Sequence, residues 1–194
     1  MAELEKHLGG HQYRTHMDHG SLNWFIKSLN IKSFLDVGCG PGGMVDLAKQ
    51  KGLSVKGIDG DWTLKRQCSA DYIVHDYTTG SSGLEETFDM CWSTEFVEHV
   101  DEKYIPHYIK DFTLAKYVVI THAPPGWGGF HHVNEQYKPY WINKLEEYGL
   151  MYNEEYTKEL RNLTTMNYPE ERLEWSNAFI KNTGLFFENL RFKS

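Results

Sequence analysis

Apolar positions along the chain fall into short continuous runs separated by stretches of helical spacing. Leu22, Phe25, Ile26 and Leu29 recur at helical intervals behind Ser21, a natural N-cap, with Asn30 near the end. Phe34-Leu35-Asp36-Val37 then makes a strand that runs into Gly38, Gly40, Gly42 and Gly43, followed by the helical pattern of Met44, Leu47 and Ala48. Further strands are expected at Leu53–Asp59, Asp71–Asp76, Phe88–Trp92 and Tyr117–Thr121. Between the last two, Tyr104, Ile105, Tyr108, Ile109 and Phe112 keep helical spacing, with Pro106 blurring the start. Helices over Pro139–Tyr148 and Pro169–Asn182 are each stopped by a glycine, Gly149 and Gly184. Strand candidates follow at Leu150–Asn153 and Leu185–Phe192. Alternating strands and helices predict an α/β, doubly wound (Rossmann-like), mostly parallel sheet in a single domain. That domain spans residues 21–194, behind an N-terminal arm over residues 1–20.

A strand, a glycine turn and a helix form the first half of a nucleotide-binding βαβ unit, because glycine lets the backbone approach a ligand closely. Gly38, Gly40 and Gly43 satisfy the dinucleotide fingerprint literally. Charge argues against a dinucleotide, since Asp36, two residues before the first glycine, would repel a pyrophosphate. It suits a ligand bearing an ammonium and a sulfonium, which is S-adenosylmethionine. Asp59, nineteen residues after Gly40, can accept both ribose hydroxyl hydrogens. Trp62 either packs on the adenine or anchors its helix.

The run Leu-Asp-Val-Gly-Cys-Gly-Pro-Gly-Gly at 35–43 resembles the glycine motif of class I S-adenosylmethionine-dependent methyltransferases. The resemblance implies a seven-stranded sheet whose last strand inserts antiparallel beside the fifth. It also implies that Asp36, Gly38, Gly40, Asp59 and Asp76 hold the cofactor, Asp76 accepting from the adenine amino group. Read without it, Asp76 is a turn cap and the glycine turn needs no ligand.

With 194 residues and 40% hydrophobic content, the chain is long enough for one well-filled core. No apolar run is long enough to cross a membrane and the first residues lack a signal peptide's apolar core, so a cytoplasmic protein is expected. Cys39, Cys68 and Cys91 are too few and too scattered for a zinc knot or a disulfide framework. A net charge of -7, without a basic block, argues against nucleic acid as a partner, although a local basic patch stays compatible with it. Aromatic residues, at 14%, exceed what a core of this size ordinarily uses, so some are available to face a sugar or another flat acceptor.

The acceptor should lie over the C-terminal ends of strands four and five. Glu95-Phe96-Val97-Glu98-His99 follows strand four. As a helix it would place Glu95, Glu98 and His99 on one face, where two carboxylates and an imidazole can share a divalent cation. His131 or His132, in the loop after strand five, can complete the set. This E-x-x-E-H pattern with a distant histidine resembles the metal-dependent O-methyltransferases, namely the small-RNA 2′-O-methyltransferases and the ubiquinone-pathway enzymes. There a magnesium- or manganese-class ion lowers the pKa of the attacked hydroxyl. Without metal, the glutamates favour a helix start and His99, His131 or His132 remains as a general base.

The stretch His131–Trp141 resembles segments of class I enzymes of small-molecule and sugar methylation; as a plain surface loop it would only pack its aromatics. The expected function is O-methylation of a hydroxylated small molecule or sugar. RNA 2′-O-methylation and non-catalytic S-adenosylmethionine binding are the alternatives. Ala123-Pro124-Pro125-Gly126-Trp127 follows strand five and lacks the leading Asp or Asn of a base-amino methyltransferase, which disfavours base methylation. The polar, aromatic stretch Tyr13–Gly20 reads either as a lid over the cofactor or as a surface arm.

Overall fold

The computed structural model describes residues 4–11, 14–66, 71–166 and 179–192. Tyr13, Cys68 and the expected helix over 169–178 lie outside them. Seven strands, β1 (Ser33–Val37), β2 (Ser54–Asp59), β3 (Tyr72–Val74), β4 (Phe88–Ser93), β5 (Ala115–Ile120), β6 (Leu150–Tyr152) and β7 (Leu185–Asn189), form one sheet in the order β3-β2-β1-β4-β5-β7-β6. The first five are parallel, with Asp36 level with Gly57 on one side and Trp92 on the other. β7 runs antiparallel to both its neighbours, Val119 facing Phe186 and Met151 facing Glu188. The expected doubly wound sheet with an antiparallel last strand is therefore the observed one.

Among the described residues five α-helices cover the sheet: α1 (His19–Ser28), α2 (Gly43–Gln50), α3 (Ile105–Phe112), α4 (Lys138–Glu146) and α5 (Glu154–Leu163). Strand side chains alternate between faces, so the sheet sorts its own apolar residues into two cores. Leu35, Cys91, Val118 and Phe187 meet α3 and α4 through Tyr108, Phe112, Trp141 and Leu145. Phe34, Met90, Trp92, Val119 and Phe186 meet α1, α2 and α5 through Leu22, Phe25, Leu47 and Leu160. Much of the aromatic excess is spent here: Phe25 meets Trp92 edge to face at 5.9 Å, and Tyr156 meets Phe186 at 5.2 Å.

Several elements differ from the sequence reading. α5 was not expected, yet Asn153 caps it by accepting the Tyr156 N–H at 2.8 Å, and Glu154 and Glu155 complement its positive end. Pro106 sits in the first turn of α3, where its missing N–H breaks no helical bond. Phe179–Thr183, the described end of the expected last helix, is a single π-helical turn. Glu95-Phe96-Val97-Glu98-His99 is not an α-helix: Glu95 has φ +52° and only Val97–His99 forms a 3₁₀ turn. Phe96 packs so tightly on Gly38 that a Cβ there would lie 2.4 Å from its ring, and this contact with the glycine turn replaces the helical path.

The sheet reverses direction of winding between β1 and β4, and a crevice opens there above their C-terminal ends. Ser93 donates from its hydroxyl to the Val37 carbonyl at 2.8 Å, tying the two strand ends together under that crevice.

Candidate active site

The glycine turn forms the floor of one side of the crevice. Gly38 and Gly40 have φ of +77° and +50°, and Gly42, at +90°, opens α2. These are left-handed conformations that side chains resist, which explains the residue choice. Gly38 and Cys39 donate their N–H groups to the Ile58 carbonyl at 2.8 and 3.1 Å, locking the turn to β2. Asp36 is buried at the tip of β1, and burial together with the nearby Asp59 charge holds its carboxyl well above the usual range. Such a group favours a cationic neighbour.

Asp59 accepts the Gly40 N–H and the Asp61 N–H, each at 2.8 Å, and pairs with Arg66 at 3.3 Å. Burial raises its carboxyl, and those partners offset only part of the rise. Asp76, expected to meet an adenine, lines the cavity, where its carboxylate has His7 Nε2 at 3.0 Å and accepts the Thr78 N–H at 2.8 Å. Burial pushes the Asp76 carboxyl up, but the His7 and Thr78 hydrogen bonds outweigh it and hold it below the usual value. Trp62 is half exposed in a turn and is not among the residues that line the cavity.

The N-terminal arm lies over this floor. His11 Nε2 sits 2.8 Å from Asp61, the Thr15 hydroxyl accepts the Gly43 N–H at 2.8 Å, and Gly60 has no room for a Cβ because Leu8 covers it. The sequence singled out residues 13–20 as the candidate lid, but the contacts with the cofactor-side acids come from His7 and His11. Histidines so near the start of a chain give no sequence signal that they pair with distant aspartates.

The opposite wall carries the residues expected to meet an acceptor. Thr121 accepts the Glu95 N–H at 2.7 Å and donates its hydroxyl to the Glu95 carboxylate at 2.9 Å. Val133 and Asn134 donate their N–H groups to the Glu98 carbonyl at 3.0 and 3.1 Å, docking the loop after β5 onto the 3₁₀ turn. One oxygen of Glu98 and one nitrogen each of His99 and His132 lie within 4.8 Å of one another. The structure thus gathers three of the five candidate metal ligands. Glu95 is held by Thr121, and His131, at φ +53°, has its ring 6.4 Å from that of His7. Neither belongs to the three-residue group.

This donor set fits a divalent cation. Both Glu98 oxygens and His99 Nδ1 are buried without a hydrogen-bond partner among the described residues. Burial first, and Glu135 in addition, push the Glu98 carboxyl up to about 8; burial first, and His132 in addition, push the His99 imidazole down to about 4. A cation would satisfy the carboxylate and use the neutral imidazole. One carboxylate with two imidazoles suits manganese- or zinc-class ions better than magnesium.

The two walls enclose one cavity of about 1300 Å³, reaching from Asp36, Gly38 and Asp59 to Glu95, His99, His131 and His132. That exceeds the roughly 300–1,000 Å³ of a single small-molecule pocket, leaving room for two reactants side by side.

Residues 35–111 match the family model of a methyltransferase domain. The matched segment runs from within β1 into α3 and supports an enzyme. No curated protein matches the chain. Solved structures share the fold at low identity. A TehB-like S-adenosylmethionine-dependent methyltransferase from Corynebacterium glutamicum is 16% identical, with 89% of each chain covered and a TM-score of 0.58. The methyltransferase domain of bacterial CtHen1 is 18% identical over 88% of this chain and 97% of that one, with a TM-score of 0.56. Magnesium protoporphyrin IX methyltransferase from Synechocystis, solved with S-adenosylmethionine bound, is 14% identical over 86% and 74%, with a TM-score of 0.56. Among the described residues no helix is long and apolar enough to cross a membrane.

Proposed function

We propose that the protein transfers the methyl group of S-adenosylmethionine to a hydroxyl of a small molecule or sugar, held beside Glu98, His99 and His132. The observation that carries this reading is the single cavity joining the Asp36 wall to the histidine wall. S-adenosylmethionine, when bound, supplies an activated methyl group on a sulfonium. Asp36 offers a buried negative charge to its cationic end, the glycine turn leaves room for close approach, and Asp59 would meet the ribose. Glycosyl or polyol hydroxyls suit a wall of imidazoles and carboxylates with Trp127 and Phe130 at its edge.

The reaction is an in-line displacement in which the bond from carbon to sulfur breaks as the bond from carbon to oxygen forms. The acceptor's proton must leave, and in the absence of a metal ion His99 or His132 would take it. Glu98, His99 and His132 would hold a manganese-class ion, which when bound would lower the pKa of the acceptor hydroxyl. The net charge of -7 supports a small acceptor over a polyanion.

Two measurements test the proposal. Calorimetry with S-adenosylmethionine and with a nicotinamide dinucleotide should show binding of the first only. A screen of hydroxylated acceptors, read by the added methyl mass, should then yield product. Salt-sensitive methylation of RNA with no small-molecule turnover would replace the acceptor class.

A further inference from the structure

Glu135, in the loop between β5 and α4, spends its carboxylate on three donors. Oε2 accepts the Gly126 N–H at 2.7 Å, while Oε1 accepts the Gly128 N–H at 2.7 Å and faces His132 Nδ1 at 2.9 Å. An ionised carboxylate can only accept, so His132 must present a proton on Nδ1. In the neutral ring the lone pair is then on Nε2. Gly129 keeps that nitrogen accessible, because a Cβ there would fall 2.3 Å from Nε2. Its φ is outside the left-handed region, so the glycine is there for space and not for backbone conformation.

We infer that Glu135 is a positioning residue that fixes His132 in the Nδ1–H tautomer and so offers its Nε2 lone pair to the reaction site. The inference rests on the proposed reading of the Glu98, His99 and His132 wall. A carboxylate behind an imidazole both selects the tautomer and makes the free nitrogen a better base or metal ligand. The same carboxylate holds the loop from Gly126 to Gly128, so the ring and the loop edge of the cavity move as one unit.

The test is nitrogen-resolved NMR of the histidine rings in the full chain, metal-free, at about pH 8.5, two units above an ordinary imidazole. The His132 signal, identified by its loss in His132→Gln, should report a proton on Nδ1. Glu135→Gln has only one side-chain oxygen and cannot accept all three donors, so the ring should shift toward the Nε2–H tautomer. Manganese affinity, measured by calorimetry, should fall at least tenfold in the same variant. Gly129→Ala should keep the Nδ1–H tautomer yet lose manganese affinity, because its Cβ would crowd the Nε2 end of the ring, meeting Nε2, Cε1 and Cδ2 at 2.3, 2.6 and 2.7 Å. A ring protonated on Nε2 in the unsubstituted protein, or a tautomer unchanged in Glu135→Gln, would overturn the inference and leave Glu135 as a loop staple. An Nδ1–H ring in a protein that binds no manganese and methylates no acceptor would uphold the positioning role and reject the functional reading.

Discussion

Asp18 accepts the backbone N–H of Thr165 at 2.9 Å, joining positions 147 residues apart. The same fully buried carboxylate caps α1 through the Ser21 N–H at 2.9 Å and takes the Ser21 and Thr164 hydroxyls at 2.7 and 2.6 Å. The start of α1 and the end of α5 therefore share one acceptor. Hydrogen bonds to a charged group contribute about 1.5–3 kcal/mol each, and several would be left unmade at once. Asp18→Ala should lower stability by about 3 kcal/mol or more in denaturant titration, whereas Asp18→Asn should lose less.

Asp36 sets stability against function. Its buried charge has Asp59 as its electrostatic neighbour, so removing the charge relieves a desolvation cost. Asp36→Asn should raise the melting temperature of the ligand-free protein by a few degrees, about what 1 kcal/mol gives at this size. It should weaken S-adenosylmethionine binding at least tenfold, because the cation at the cofactor's reactive end loses its partner. A variant that binds the cofactor as well as the unsubstituted protein would remove Asp36 from the site.

Asp59→Asn should also weaken the cofactor, by about 1.5–3 kcal/mol for the charged hydrogen bond lost. Its effect should extend to the turn itself, since Gly40 and Asp61 both donate to this carboxylate. Calorimetry separates the two outcomes: a lowered affinity with an unchanged melting profile means that Asp59 acts on the ligand alone.

Chelation should abolish turnover and leave S-adenosylmethionine affinity unchanged, because the glycine turn and the Glu98 group occupy opposite walls of the cavity. Glu98→Gln should reproduce the loss. Full activity in the presence of chelator would leave His99 or His132 as a metal-free base.

His16 and His122 carry the pH prediction. Burial first, and the nearby Arg14 charge in addition, push the His16 imidazole down to about 4; His122 falls to about 4 by burial, with Arg161 and Lys138 adding to the fall and a Gln136 hydrogen bond opposing it. An unfolded histidine titrates near 6.5, so below that pH the unfolded chain binds protons that the folded chain refuses. The stability these two histidines contribute should be fully present above about pH 6.5 and decline as pH falls toward 4. Melting temperatures across that range check it, and His122→Gln should flatten the slope.

What the sequence made legible was whatever depends on local pattern. The strand into Gly38, the strand ending at Asp59 and the helical spacing of Tyr108 and Phe112 are dictated by neighbours a few residues away, and they were readable. α5 was missed although Asn153, with Glu154 and Glu155 behind it, is a helix start, because its polar surface masked a spacing carried by Tyr156 and Leu160. Glu95 to His99 misled because helical spacing presumes helical backbone, and Phe96 follows Gly38 instead. The pairing of His7 with Asp76, and the service of Glu135 to His132, depend on loops brought together only by the finished fold. No periodicity encodes such pairs.

The place of β7 between β5 and β6 governs the order in which the protein can be completed. As the chain leaves the ribosome, β5 has its partner β4 on one side and an open hydrogen-bonding edge on the other. That edge stays unpaired through the synthesis of α4, β6 and α5, because the segment that fills it, residues 185–189, comes after all of them. β6 is worse placed, for its single described partner is that same late segment. An unfilled edge is a template for another chain. Nascent copies halted before residue 185 should therefore be the aggregation-prone species, and the cell's folding helpers would be needed at that point in translation.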